Sequence, residues 1–230
     1  MKRFVGLGLV ACLWAAAACG GASGGARSDR VEVKVERISL DEVRKRRARY
    51  ADVSIGVDPA TVSEDDRAVL QKLVAAAGRM NDLYWRQSSP DGPVLREELA
   101  RGTSEHDRAL YDYLLLNAGP YDRLDGETAF LPVKPKPAGG TFYPLDLTKA
   151  EFDAWIAAHP GDREAFESPF TVIRRDGGNL VAVPYSKEYG ATLEEAAKLL
   201  DEAAALARDP ALKKYLSSRA AAFRNDDYFQ

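Results

Sequence analysis

Residues 117–144 read NAGPYDRLDGETAFLPVKPKPAGGTFYP, the longest run of the chain with neither a helical nor a strand period. A loop of this length in a compact domain is either functional or disordered. Tyr121, Phe130, Phe142 and Tyr143 argue for order, because disordered tracts are poor in aromatics. The stretch therefore reads as an ordered surface crossing between two helical blocks.

The block before the crossing opens at residues 63–66 (SEDD), a capping serine with acids in the first turn. Val69, Leu70, Leu73, Val74, Ala77 and Met80 follow at helical spacing, and Leu83 and Tyr84 extend the stripe. Turn formers at 88–93 (SSPDGP) end this helix near Gln87. A shorter helix starts with Pro93 and runs to about Arg101. Ser104 then caps another, whose Leu110, Tyr113 and Leu114 lead into the crossing.

After the crossing, residues 148–151 (TKAE) form a capping box opening a helix with Phe152, Trp155 and Ile156 on one face. Pro160 and Gly161 stop it. Residues 170–175 (FTVIRR) and 180–185 (LVAVPY), joined through 176–178 (DGG), give the best hairpin signal in the chain. Pro184 cannot donate to a ladder, so the second strand lies at an edge or ends there. Residues 192–195 (TLEE) read as a further capping box, with Leu193, Ala196, Ala197, Leu200, Ala203, Ala204 and Ala207 as its apolar stripe. Asp209 and Pro210 start the last helix, with Leu212, Tyr215, Leu216 and Phe223 on one face. The fold class expected is mainly α (α+β): a helical lobe with one β-hairpin and a long ordered loop.

The 230 residues are long enough to bury a core. Hydrophobic content of 46% and charged content of 29% are ordinary for a globular protein. A net charge of -3 gives no basic excess of the kind that binds nucleic acid. The two cysteines, Cys12 and Cys19, lie in the first twenty residues, so none remains downstream for a disulfide or a thiolate metal site.

The N-terminus reads as a targeting signal. Lys2 and Arg3 precede an apolar run over residues 4–18 that is short for a membrane span but suits a signal peptide. It ends in small residues before Cys19, which resembles a bacterial lipobox, although Ala16 stands where leucine is commoner. An ordinary secretory signal cut after an Ala-x-Ala site is the rival. The division expected is a lipoprotein signal peptide over 1–18, lipidated Cys19 and a flexible tether over 19–50, and the helical lobe over 51–230. A lipid anchor would place the chain in the bacterial cell envelope, facing the periplasm or the exterior. Residues 31–36 (VEVKVE) alternate with period two and suggest a short strand. The basic run 44–49 (RKRRAR) admits two readings, a contact to anionic lipid or a solvated helix face, and the second is the stronger.

Reactive constellations are scarce. His106 and His159 are far apart, and neither begins an H-E-x-x-H pattern. Nucleophile elbows, Walker loops and dinucleotide fingerprints are absent. Asp122, Asp125 and Glu127 cluster in the crossing, but loop acids are more often solvated turn formers than catalysts. Tyr121, Arg123, Phe142 and Tyr143 could form a recognition surface for peptides, since amphipathic rings and guanidinium groups suit such contacts. The competing reading is that they pin the loop to the helices beneath.

Several phrases in order resemble one family: residues 84–87 (YWRQ), 119–124 (GPYDRL), 141–144 (TFYP), 168–175 (SPFTVIRR) and 226–228 (DDY). Together they resemble the N-terminal half of bacterial dipeptidyl-peptidase III-like proteins, the M49 zinc metallopeptidases, over roughly residues 50–230. The resemblance implies two lobes around a cleft. The catalytic lobe would carry an H-E-x-x-G-H helix and a later glutamate that bind zinc, and this chain would be the largely helical, peptide-holding lobe. Neither that motif nor the family's Glu-Thr-Tyr segment occurs in the 230 residues. The expectation is therefore no catalytic residue and no cofactor in this chain, with zinc only in a downstream catalytic lobe and little activity alone. The ending at Tyr228, Phe229 and Gln230 fits a longer pattern cut short. The rival expectation is an independent periplasmic binding or scaffold lipoprotein. Expected partners are the membrane, through the anchor, peptides and a catalytic lobe.

Overall fold

The computed structural model describes residues 36–229. The signal peptide, Cys19, the glycine-rich part of the tether and most of the suggested strand at 31–36 lie outside the described residues. Helices dominate: α1 (Leu40–Arg47), α2 (Glu64–Ser88), α3 (Gly92–Ala100), α4 (Glu105–Asn117), α5 (Lys149–Ala158), α6 (Arg163–Phe166), α7 (Tyr185–Glu188), α8 (Gly190–Leu206) and α9 (Pro210–Asn225). Two antiparallel pairs accompany them, β1 (Tyr121–Asp122) with β2 (Thr128–Ala129), and β3 (Thr171–Asp176) with β4 (Asn179–Pro184). The small β1–β2 pair lies inside the crossing and is an addition to the single hairpin expected. Among the described residues, no helix is long and apolar enough to cross a membrane.

Helix starts follow their side chains. Ser63, Ser104 and Thr148 each accept a hydrogen bond from the backbone N–H three residues on, and Asp209 accepts from Ala211 and Leu212. Each satisfies donors that the first turn leaves without a helical partner. The box at Thr192 is different. α8 begins at Gly190 without a side-chain cap, so Thr192 lies inside the helix. Leu193 donates its N–H to Tyr189 O, and both side chains are buried together, so packing sets this start ahead of the local letters.

Helix α2 joins the parts. Its 25 residues span about 37 Å at ~1.5 Å per residue. At its N-terminal end Val69 and Ala76 pack with Leu73 against α8 and α9, through Ala197, Leu200, Ala203, Leu216 and Ala220. Further along, Leu83 enters a cluster with Val172, Tyr189 and Leu193. Trp85 enters a third cluster, built on Val43, Leu99, Leu110, Tyr113, Leu114, Phe130 and Leu131. A fourth cluster joins α5 and α6 to the hairpin through Ile156, Phe166, Ile173 and Leu180. The expected α2 stripe is therefore trimmed, because Leu70, Val74, Ala77 and Tyr84 are exposed and the inward face runs Val69, Leu73, Ala76, Met80, Leu83. On α9, Leu216 is buried and Phe223 half-buried, whereas Tyr215 is exposed and Leu212 lies at the rim.

The lobe begins earlier than residue 51. Residues 36–50, expected as the end of the tether, carry α1, whose Val43 is buried in the α4 cluster, and Ile38 N–H donates to Phe130 O. The basic run is largely engaged in internal contacts. Arg44 pairs with Glu105, Arg46 with Glu42 and Asp122, and Arg47 with Asp52, while Arg49 donates to Leu124 O. A lipid contact would have to displace such partners, so the helix-face reading fits this geometry better.

Candidate functional site

The crossing is fixed at both ends and in its middle. Asp122, fully buried, accepts from Arg46 at 3.0 Å and Tyr113 Oη at 2.8 Å through Oδ2, and from Leu124 N–H at 2.9 Å through Oδ1. Burial, with the Asp122 carboxylate beside it, pushes the Tyr113 phenol well above its usual range. Burial alone would lower the Arg46 pKa, but hydrogen bonds to Glu42 and Asp122 outweigh it and raise it. The group is a locked ion pair. Its carboxylate oxygens are occupied by structural donors, which disfavours proton transfer by Asp122. Asp125 and Glu127 are exposed, facing Arg46 and Lys136.

At the other end, residues 139–143 are strapped between α2 and β3. Thr141 donates its N–H to Gln87 O at 2.9 Å and its hydroxyl to Arg86 O at 2.7 Å. Ile173 N–H donates to Phe142 O at 2.8 Å, and Arg174 reaches Thr141 O at 3.1 Å. Gly140 has φ +58°, and a Cβ there would sit 2.3 Å from Gln87 O, so only glycine fits without displacement.

The four recognition candidates do not converge. Tyr121 is buried and donates to Lys134 O at 3.2 Å. Arg123 is exposed and donates to Tyr84 Oη at 2.5 Å. Phe142 packs on Tyr185 with centroids 6.2 Å apart, within the Leu83 cluster. Tyr143 meets Phe152 edge-on at 5.9 Å and lines a separate recess at the start of α5. Tyr121 and Phe142 do the pinning; Arg123 and Tyr143 keep surface available.

A different set of aromatics lines a second recess. Between α2, α7, α8 and the end of α9 lies a cavity of about 500 Å³, lined by Tyr84, Gln87, Tyr185, Tyr189, Leu193 and Tyr228 among others. Its walls are pinned. Ser186 N–H donates to the Asp226 carboxylate at 2.9 Å, Arg219 donates to Tyr228 O at 3.1 Å, and Tyr228 stacks on Phe170 at 4.6 Å. Burial pushes the Tyr185 phenol up to about 12 and raises Tyr189 and Tyr228 as well. Sequence reasoning passed over this group, although Tyr185, Tyr189 and Leu193 recur every four residues, as one helical face does.

This lobe has solved counterparts. It superimposes on dipeptidyl-peptidase III from Caldithrix abyssi with a TM-score of 0.78 and 40% identity, covering 81% of this chain and 36% of that one. Dipeptidyl-peptidase III from Corallococcus sp. strain EGB gives a TM-score of 0.80 and 36% identity over 84% of this chain and 37% of that one. The chain is dipeptidyl-peptidase III-like. A curated relative, Nudix hydrolase 3 of Arabidopsis thaliana, is 28% identical over 254 residues, which is 87% of this chain and 33% of that protein. The chain thus spans about a third of the length of the proteins it matches. No family model matches it.

The described residues do not fit a zinc ion. None of their His, Cys, Asp and Glu side chains gather in a group of three that could hold a metal. His106 Nε2 lies 2.8 Å from Ile38 O, and His159 stacks on Trp155 at 4.1 Å.

Proposed function

We propose that this chain is the peptide-holding lobe of a dipeptidyl-peptidase III-like hydrolase, carried in the bacterial cell envelope by lipid on Cys19. The observation that supports it is the likeness to two solved dipeptidyl-peptidase III chains at 36–40% identity over 81–84% of this one. The lobe's part in that reading is binding. Its sequence has no H-E-x-x-G-H, and its described residues offer no zinc set, so no bond-breaking step is assigned to it. Zinc would belong to a separate catalytic lobe. The anchor rests on the sequence of residues 1–19, a basic start and an apolar run ending in small residues before Cys19.

Calorimetric titration of short unblocked peptides, with and without zinc, tests the lobe reading. Binding without cleavage is the expected outcome in both conditions. Zinc-dependent dipeptide release by this chain alone would overturn the assignment. Intact mass of the native polypeptide from membranes tests the anchor and the setting. Lipid mass on Cys19 is expected. A native product much larger than this chain would carry the catalytic lobe on the same polypeptide, and one of this size would make it a stand-alone binding lipoprotein.

A further inference from the structure

Between α1 and α2, residues 51–58 (ADVSIGVD) run without turn or bend, and every one of them is exposed. No backbone–backbone hydrogen bond joins residues 51–57 to the rest of the described chain. Val53, Ile55 and Val57 alternate with Ser54 and Gly56, so an extended course puts the three aliphatic side chains on one face. Val57 also lines a recess of about 500 Å³ with Leu70 and Val74 of α2. These five side chains are 47–91% exposed. Single exposed aliphatics are ordinary, but five along one segment and the helix beside it mark an interaction surface. The main chain decides its kind. Available N–H and C=O groups beside alternating aliphatics are what a second β-strand engages, with main-chain bonds giving affinity and alternate side chains giving selection. Natural proteins guard exposed edges with lysine or proline, and residues 52–58 contain neither. Charge disfavours a second copy of this chain as the partner. An antiparallel self-pair centred on Ile55 sets Asp52 opposite Asp58 at both ends, and a parallel one sets each acid against its own copy. Like charges directly opposite are destabilising, so the strand that fits is aliphatic in alternation and basic at its ends. The solved counterparts have polypeptide enough to supply it, since the part this chain matches is 36–37% of their length.

We propose that residues 52–58 are an open β-strand that pairs with a strand of the catalytic lobe, basic at its ends, whose aliphatic side chains cover Val53, Ile55 and Val57 and reach the recess at Leu70 and Val74. The assignment rests on the reading of this chain as one lobe of a dipeptidyl-peptidase III-like hydrolase and names the surface through which the lobes join.

The test is amide hydrogen exchange and calorimetric titration of the full chain with two model strands, acetyl-Lys-Val-Thr-Val-Thr-Val-Lys-amide and its counterpart with glutamate at both ends. The lysine peptide is expected to slow exchange over residues 53–57 and to bind about tenfold more tightly than the glutamate peptide. Gly56→Pro and Val57→Pro remove donors on opposite edges of the strand, so one should abolish pairing and the other leave it. Neither should lower the melting midpoint by more than about 2 °C, because the free chain loses no backbone bond there and a Cβ at residue 56 meets open space. Protection by neither peptide would overturn the proposal. So would equal binding of both, or a dimer of this chain that a proline variant dissociates. In a native product from membranes that is larger than this chain, residues 53–57 should be protected where the 230-residue chain exchanges freely. Free exchange in that larger product would overturn the strand pairing and leave the lobe reading intact. A native product of this length that binds the lysine peptide would keep the open strand and overturn the catalytic lobe as its occupant.

Discussion

The interface of α2, α8 and α9 and the crossing at 117–144 are held together by opposite means. In the first, alanines at 76, 197, 203, 204 and 220 let helices approach closely, and the burial is apolar throughout. In the second, a buried carboxylate, a glycine with no room for a Cβ and backbone donors bind the chain to elements far away in sequence. Apolar burial spreads its stabilisation over many small contacts. A buried ion pair concentrates it, since removing one partner leaves the other charged in a poor solvent. Single substitutions should therefore hurt the crossing most at one residue, and the helical interface more evenly.

The largest effect expected is from Asp122→Ala. Arg46 would lose its buried partner and Tyr113 its acceptor, at a cost of about 3–5 kcal/mol in urea unfolding. A cost under about 1 kcal/mol would mean that Phe130 and Leu131 hold the crossing by packing alone. Next comes Ala203→Leu, which forces a larger side chain into the fully buried α8 seam and should cost about 2–3 kcal/mol. If it costs nothing, the seam has slack and the contrast between the two regions is sharper than drawn. Gly140→Ala should cost about 1–2 kcal/mol from its left-handed backbone and the approach of Gln87 O.

The helical side of this contrast was legible in the sequence because its determinants are local. Ser63, Ser104, Thr148 and Asp209 cap as their letters suggest, and the α8 stripe from Leu193 to Ala207 is buried as its period requires. Local letters failed where burial competed with them. Thr192 sits inside a helix that Tyr189 and Leu193 anchor, and Leu70 and Val74 face outward although they share the apolar spacing of α2. The crossing was legible as ordered, from its aromatics, but not as held by Arg46, because an ion pair spanning 76 positions leaves no periodic trace. α1 is hard to tell from a tether by its letters for a different reason, that its only buried residue is Val43. The candidate site was hardest to read. Tyr121, Arg123, Phe142 and Tyr143 are close in sequence and dispersed in space, whereas the tyrosine cavity draws on four separate elements.

The smallest effect expected sits at the surface, where Arg175 on β3 reaches Asp146 and Glu151 at the start of α5. Hydrogen bonds from Arg175 hold both carboxyls below their usual values, and the same bonds hold the guanidinium above its own. A depressed carboxyl contributes stability that is fully present above its unfolded pKa, near 3.9 for Asp and 4.3 for Glu, and is lost as pH falls through the folded value. Arg175→Gln should therefore lower the melting midpoint slightly at pH 7, and the gap to the parent protein should close below about pH 4. Salt should close it too, because exposed pairs are screened. A gap that persisted at low pH and high salt would mean that Arg175 acts through the packing of its stem on the hairpin. The α5 contact would then resemble the helical seam rather than the Asp122 lock.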